Sequence, residues 1–264
     1  MDLQLKNKKA LVTGSTAGIG FAIAKSLAAE GAHVILNGRT QQRVDEAIRK
    51  IKSAHAHASA TGVALDLSTA AGCEQLVKQL PSVDILVNNL GIFAIKPALE
   101  IPDADWMKFF ETNVMSGVRL TRAYLPGMLK ANWGRIVFIS SESGINIPKE
   151  MIHYGMTKTA QIAVARGFAE ETRGSGVTIN TLLPGPTKSE GVFTFMEQMA
   201  KQEGKDLAAV EKDFFKFARP TSLLQRFATV DEVAAMATYL ASPLASATTG
   251  AAVRVDGGVV QAAF

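Results

Sequence analysis

Short apolar runs recur along the chain, and between them the apolar positions fall at helical spacing. Ala10-Leu11-Val12, His33-Val34-Ile35-Leu36, Val63-Ala64-Leu65, Ile85-Leu86-Val87, Ile136-Val137-Phe138-Ile139, Thr178-Ile179-Asn180-Thr181-Leu182 and Val253-Arg254-Val255 are each of strand length. Unbroken apolar runs are what strands covered on both faces require. Phe21-Ala22-Ile23-Ala24-Lys25-Ser26-Leu27-Ala28-Ala29-Glu30 reads as an amphipathic helix ended by Gly31, and residues 41 to about 53 read as a more polar second one. About seven strands alternating with helices predict right-handed crossovers, hence an α/β doubly wound parallel sheet with helices on both faces. No linker, internal repeat or low-complexity stretch interrupts the chain apart from the Ala/His-rich residues 54–60, so residues 1–264 are expected to form a single domain.

The rhythm breaks once. Between the last two strands lie about forty residues with scattered aromatics, and an insertion of that length predicts an extended substrate lid at about 188–226. Its Phe193, Phe195, Met196, Met199, Phe214, Phe215 and Phe217 can line a hydrophobic substrate pocket, or pack the insertion onto the domain or a neighbouring subunit.

Composition narrows the partners. With 47% hydrophobic and 20% charged residues the chain has ample core material. A net charge of +4, its Lys and Arg interspersed with acids, does not suit a nucleic-acid binder. Cys73 is the only cysteine, which excludes an internal disulfide and a multi-cysteine metal cage, and points to a reducing, cytoplasmic setting. His55 and His57 lack a third ligand nearby and read as surface residues, so no metal is expected. The N-terminus carries no apolar core of signal-peptide length, and no apolar run approaches the roughly 18 residues of a membrane span, so neither export nor membrane insertion is expected.

Candidate chemistry begins at the first strand-to-helix turn, Thr13-Gly14-Ser15-Thr16-Ala17-Gly18-Ile19-Gly20. This is where a Rossmann-type, dinucleotide-binding fold places its phosphate turn. Gly14 permits the tight bend, Gly18 the approach of backbone to pyrophosphate, and Gly20 close helix packing, with the helix N-terminus facing the anion. The second strand ends Leu36-Asn37-Gly38-Arg39, without the carboxylate that would accept from a ribose 2′-hydroxyl. Arg39 can pair with a 2′-phosphate, and Ser15 and Thr16 offer hydroxyls nearby, so the expected cofactor is NADP(H), with NAD(H) admitted as a weaker alternative. Farther on, Tyr154 and Lys158 stand four apart at the start of a helical pattern and share one face. An ammonium beside a phenol favours the phenolate, which a tyrosine exchanging protons near neutrality needs. Alone, such a pair is a frequent accident.

Together these motifs resemble the short-chain dehydrogenase/reductase family, in particular its 3-oxoacyl-carrier-protein reductase-like branch, over nearly the whole chain. The family's T-G-x-x-x-G-x-G is met at residues 13–20, its N-N-A-G at Asn88-Asn89-Leu90-Gly91, its helix asparagine at Asn113 and its Y-x-x-x-K at Tyr154 and Lys158. The family serine lies thirteen residues before the tyrosine, which selects Ser141, with Ser140 as the alternative. The resemblance implies that Ser141 hydrogen-bonds the substrate oxygen, Tyr154 exchanges a proton with it, Lys158 lowers the tyrosine pKa while holding the nicotinamide ribose, and Asn113 positions a relay water. It implies cofactor contacts at Gly14, Ser15, Thr16, Gly18, Ile19, Gly20, Arg39, Asp66, Leu67, Asn89, Gly91, Tyr154, Lys158, Pro184, Gly185 and Thr187, and a C-terminal signature at Asp256-Gly257-Gly258. Two positions depart from the pattern. Leu90 replaces a small alanine beside the cofactor groove, and Ala17 stands where some NADP-preferring members carry a basic residue.

The function this implies is hydride transfer between NADP(H) and a small-molecule carbonyl or alcohol, in the reductive direction. The alternatives are 3-oxoacyl-acyl-carrier-protein reductase, which needs a basic surface at the site mouth, and a non-catalytic NADP(H)-sensing protein. A homo-oligomer, a tetramer by resemblance, is expected because residues 250–264 are apolar for an exposed tail.

Overall fold

The computed structural model describes residues 2–263, the side chains of Phe195 and Glu203 excepted. Seven strands form one parallel sheet: β1 (Lys9–Val12), β2 (His33–Gly38), β3 (Ser59–Ala64), β4 (Ile85–Asn88), β5 (Gly134–Ile139), β6 (Val177–Pro184) and β7 (Ala252–Val255), in the spatial order β3-β2-β1-β4-β5-β6-β7. The order reverses between β1 and β4, and the crevice at the carboxyl ends of these strands is where a doubly wound sheet holds its ligand.

Helices α1 (Gly18–Ala29) and α2 (Gln41–Ala54) follow the first two strands, and α3 (Ala70–Gln79) the third. After β4 come α4 (Asp103–Phe110) and α5 (Ser116–Lys130), joined by the π-helical turn Glu111–Met115, and after β5 comes α6 (Ile152–Glu170). One face of the sheet is covered by a core that includes Ile23, Leu27, Val34, Val87, Val137, Leu182 and Val233; the other by Leu11, Leu86, Leu120, Ile136, Phe138 and Ile179. The strands with continuous apolar runs are those buried on both faces, as expected for a parallel sheet.

Only the edge strand departs much from the sequence pattern. β3 begins at Ser59, inside the Ala/His-rich stretch, and ends one residue before Leu65. Pairing with β2 from His33↔Ser59 to Gly38↔Ala64 sets its extent, rather than its hydrophobicity. A Cβ on Gly62 would sit 2.2 Å from Val44 Cγ1, so α2 lies against the bare backbone of this strand. His55 and His57 lie on the connection from α2 to β3, and among the described residues no group of three or more His, Cys, Asp or Glu stands together.

Between β6 and the helix α9 (Val230–Leu240), the long connection folds as α7 (Glu190–Glu203), α8 (Leu207–Asp213) and a π turn, Phe214–Ala218. Ser189 and Asp206 cap α7 and α8 by accepting from Val192 N and Ala209 N. Met196, Ala200, Val210, Phe215 and Phe227 form a separate apolar core, in which the Phe214 and Phe227 rings stack at 4.9 Å. Of the aromatics singled out in the sequence, Phe217 is exposed, and the side chain of Phe195 lies outside the described residues. The connection thus packs upon itself and also forms one wall of the cavity described next.

Candidate active site

The turn after β1 is built as a cradle. Gly14 and Gly18 both adopt φ +59, and a Cβ on Gly20 would come within 2.3 Å of the Asn89 amide nitrogen and 2.6 Å of Gly14 O. No side chain at the N-cap, Ala17, accepts from the first turn of α1. Its N–H groups and the positive end of the helix dipole are left for an anion.

Two expected cofactor residues, Ser15 and Asn89, hold this cradle in shape with their own side chains. Ser15 is fully buried, its hydroxyl donating to Val12 O at 2.7 Å and accepting from Asn37 N at 3.0 Å. That hydroxyl is spent inside the protein rather than offered to a 2′-phosphate. Asn89 donates from Nδ2 to Thr13 O and Gly14 O, tying β4 to the turn. Leu67 points into the core behind the sheet, which leaves its backbone for any cofactor contact. Thr16 lies against Gly38, and Arg39 is exposed at the end of β2 with no ion pair or side-chain hydrogen bond among the described residues. Asp66 lies two residues past β3, exposed, where it accepts from the N–H and hydroxyl of Ser68. Leu90 packs against the second core cluster and lies 3.4 Å from where a Gly14 Cβ would be.

The second half of the site rises from β5 and α6. Tyr154 and Lys158 stand on consecutive turns of α6, with Lys158 Nζ 5.5 Å from the Tyr154 ring centre. Lys158 is buried and donates to Ile139 O at 2.9 Å and to Gln161 Oε1 at 3.0 Å. Those acceptors favour the ammonium, but burial opposes it and brings Lys158 down to about 7. Burial pushes the Tyr154 phenol above its ordinary value; the hydrogen bond with Ser141 works against that, Glu142 adds to it and Arg219 subtracts. In the protein alone, then, Tyr154 holds its proton more firmly than a free tyrosine, contrary to the expectation that Lys158 would lower it. A firmly protonated phenol is a proton donor at neutral pH.

Ser140 and Ser141 both line the cavity after β5, but the Ser140 hydroxyl is committed to Lys158 O at 2.7 Å. Asn113 is fully buried in the π turn between α4 and α5. Its Oδ1 accepts from Ile92 N at 2.8 Å, and its Nδ2 donates to Ile92 O and to Thr157 Oγ1. The side chain therefore fixes the loop after β4, and it is the backbone carbonyl of Asn113 that links to Lys158, accepting from Gln161 Nε2 at 2.7 Å while Gln161 Oε1 accepts from Lys158 Nζ. A Cβ on Gly91 would lie 3.5 Å from both Lys158 Nζ and Asn113 Oδ1, an ordinary van der Waals distance, so the loop after β4 runs directly beside these two groups.

A cavity of about 510 Å³ opens above these groups. Its walls include Ser141, Tyr154, Pro184, Gly185 and Thr187 from the sheet side and Val192, Met196, Met199, Val210 and Phe214 from the long connection. Three side chains at the site were not singled out from sequence: Glu142 and Arg219, which form a buried pair at 2.9 Å, and Gln161. A polar residue on the buried stripe of α6 is a signal for Gln161. Glu142 adjoins the serine, but nothing local marks Arg219.

The fold recurs in solved structures, and the sequence matches a known family. The sequence pattern described as short chain dehydrogenase matches residues 8–200. The chain belongs to the short-chain dehydrogenase family. It is 49% identical over 264 residues to the uncharacterized oxidoreductase YvaG of Bacillus subtilis, covering all of both chains. The 3-oxoacyl-[acyl-carrier-protein] reductase FabG of Aquifex aeolicus is 32% identical over 263 residues, covering 98% of this chain and all of that one. L-Sorbose reductase from Gluconobacter frateurii, solved with NADPH and L-sorbose, superposes with a TM-score of 0.92 at 30% identity, over 99% of this chain and all of that one. This short-chain dehydrogenase is accordingly an oxidoreductase. Among the described residues, no helix is long and apolar enough to cross a membrane.

The residues present fit a dinucleotide such as the NADPH of L-sorbose reductase. The glycine cradle and the uncapped start of α1 suit a pyrophosphate, and the Lys158 ammonium beside the exposed backbone of Gly91 suits a ribose.

Proposed function

We propose that the protein reduces uncharged, largely apolar carbonyl compounds with NADPH. The observation that carries this reading is the cavity itself, in which the Ser141 and Tyr154 hydroxyls meet walls of Met196, Met199, Val210 and Phe214. NADPH, when bound, supplies a hydride to the carbonyl carbon. Tyr154 gives its phenolic proton to the carbonyl oxygen, so that an alcohol leaves and Tyr154 recovers its proton from solvent through the site's hydroxyls. Lys158 holds the ribose and offsets the charge that develops on Tyr154. The part played by Asn113 is to support this from below, through its carbonyl and Gln161.

Charge argues against acids as substrates. Glu142 and Glu150 both line the cavity against the single guanidinium of Arg219, so a substrate carboxylate meets net repulsion. The same balance speaks against 3-oxoacyl-acyl-carrier-protein reductase, because the rim at Phe93, Ile95 and Glu150 is apolar and acidic where an acidic carrier needs basic residues. A non-catalytic sensor has no need of the complete Ser141, Tyr154 and Lys158 set. The connection at 188–226 serves, in this reading, as a lid over the substrate.

The test is NADPH consumption with neutral alkyl and aryl ketones, with L-sorbose and with keto acids. The neutral ketones are expected to have the highest kcat/KM, and a preference for keto acids overturns the substrate class. Lys158 adds a pH dependence. Its charge is present below about 7 and lost above, so kcat/KM for NADPH, which reports the free enzyme, is expected to fall as pH rises through about 7. A profile flat through that range contradicts the role given to Lys158.

We also propose a homo-oligomer, of four chains by family resemblance, on different grounds from those the sequence suggested. Val259 and Val260 of the apolar tail are buried within the chain itself, and Phe264 lies outside the described residues. Leu99, Met107 and Leu223 are exposed at 102%, 65% and 86%, apolar groups that a contact between subunits would cover. Light scattering at micromolar concentration is expected to give a multiple of 28.1 kDa. A monomer contradicts it.

A further inference from the structure

The buried stripe of α6 runs through Lys158, Gln161, Ala165 and Ala169, and Gln161 is the uncharged polar side chain among these four. It is 1% exposed, in a place where an apolar residue of the same size would avoid burying an amide. Both ends of that amide are partnered. Nε2 donates to the backbone carbonyl of Asn113 at 2.7 Å, and Oε1 accepts from Lys158 Nζ at 3.0 Å.

The orientation of the amide follows from what it faces. A backbone carbonyl can only accept, so the end toward Asn113 must be the NH2 group, and the carbonyl end then faces Lys158. Turned over, the amide would set its N–H groups against an ammonium and its oxygen against the oxygen of Asn113. The π turn Glu111–Met115, which carries Asn113 between α4 and α5, thus fixes an acceptor at Lys158. An ammonium has three N–H groups and accepts nothing. One donates to Ile139 O at 2.9 Å and one to Gln161 Oε1, which leaves the third uncommitted among the described residues, with Nζ beside the backbone of Gly91. Among the described residues no carboxylate pairs with Lys158. Tyr154 of α6 is the titratable group that faces it, while Ile139 of β5, Asn113 of the π turn and Gly91 of the loop after β4 are neutral. Glu142 and Arg219 act on Tyr154 instead. Burial opposes the ammonium, and the two neutral acceptors oppose the effect of burial.

We propose that Gln161 is a positioning residue which, anchored on the Asn113 carbonyl, keeps Lys158 an ammonium and leaves its third N–H for the cofactor ribose. A tie between α6 and the π turn needs the Asn113 bond alone, and it is the bond from Lys158 that gives Gln161 a part in the chemistry. Without the Gln161 carbonyl the ammonium loses one of two acceptors in a buried place and gives up its proton at lower pH. A carboxylate in the same position has the opposite effect, because an opposite charge favours the charged lysine. The proposal rests on the role given to Lys158 above.

The experiment follows the titration of Lys158 in the full-length, cofactor-free protein by NMR of isotope-labelled lysine, with Lys158→Met identifying its signal. NADPH binding and thermal unfolding are measured on the same variants. Lys158 is expected to titrate at about 7 in the wild type. In Gln161→Met it is expected about one unit lower, the worth of one hydrogen bond to a charged group, and in Gln161→Glu at least about one unit higher. At about pH 8, Gln161→Met is then expected to bind NADPH about tenfold more weakly than wild type, and the fall of its kcat/KM for NADPH moves to lower pH by the same unit. A Lys158 titration unmoved in both variants, whether or not stability falls, overturns the proposal and leaves Gln161 a packing tie. Should Gln161→Met fail to fold, the shift in Gln161→Glu decides, and a downward or absent shift there overturns the proposal as well. If the titrations move as expected while Lys158→Met binds NADPH and turns over as the wild type does, it is the role given to Lys158 that fails, with the hold of Gln161 upon it intact.

Discussion

Replacing Tyr154 by phenylalanine is expected to lower ketone reduction by about 10²–10⁴-fold while leaving NADPH binding close to wild type. The ring keeps its edge contact with Phe93 at 6.4 Å and its place beside Lys158, and only the proton donor is lost. Lys158→Ala should differ in kind. It removes the group that spans Ile139 O and Gln161, and with it the hold on the ribose, so both turnover and NADPH affinity should fall. Kinetics and NADPH fluorescence titration on the two variants separate these outcomes. Equal losses of binding in both would mean that Tyr154 acts through the cofactor alone.

Arg39→Ala should weaken NADPH by about ten- to a hundredfold, the value of a charge-assisted hydrogen bond of roughly 1.5–3 kcal/mol, and leave NADH almost unchanged. Two features of the site make the effect fall on this residue. The Ser15 hydroxyl is committed to Val12 O and Asn37 N, and Ala17 carries no charge, so Arg39 is the one cation that the turn and the end of β2 supply. The structure also changes what a specificity reversal requires. A Cβ on Gly38 would meet Thr16 Cγ2 at 2.5 Å, so Gly38→Asp alone forces Thr16 aside before its carboxylate can serve a 2′-hydroxyl. Coupled with Thr16→Ser, which lacks the obstructing methyl, the same change should shift kcat/KM toward NADH. If Arg39→Ala weakens both coenzymes alike, Arg39 is a surface residue with no part in the choice.

Much of this molecule could be read from its sequence because the two strongest local signals agree. Buried parallel strands need apolar runs, and β1, β2, β4 and β5 carry them unbroken, whereas β3 takes its limits from pairing with β2 and starts four residues before its apolar run. The glycine turn, Tyr154 and Lys158 were legible because each role demands a particular residue at a fixed spacing. The roles assigned within the site were harder to read. Ser15, Asn89 and Asn113 looked like ligand contacts, yet their side chains are consumed by backbone groups brought in from distant strands and loops. A sequence records that a polar side chain is present, not which buried amide competes for it. For the same reason the pair Glu142 and Arg219, separated by 77 residues, left no trace that local spacing could reveal.

We propose that hydride passes from NADPH to the carbon of an uncharged carbonyl while Tyr154 supplies the proton. It is tested most directly with NADPH deuterated at the transferring position and a neutral aryl ketone, by mass spectrometry of the product. The account predicts an alcohol with one deuterium on the carbinol carbon from the wild-type protein, and at least a hundredfold less of it from Tyr154→Phe at equal NADPH occupancy. NADPH that binds but passes its label to no uncharged carbonyl, or a Tyr154→Phe protein that passes it at the wild-type rate, would contradict it.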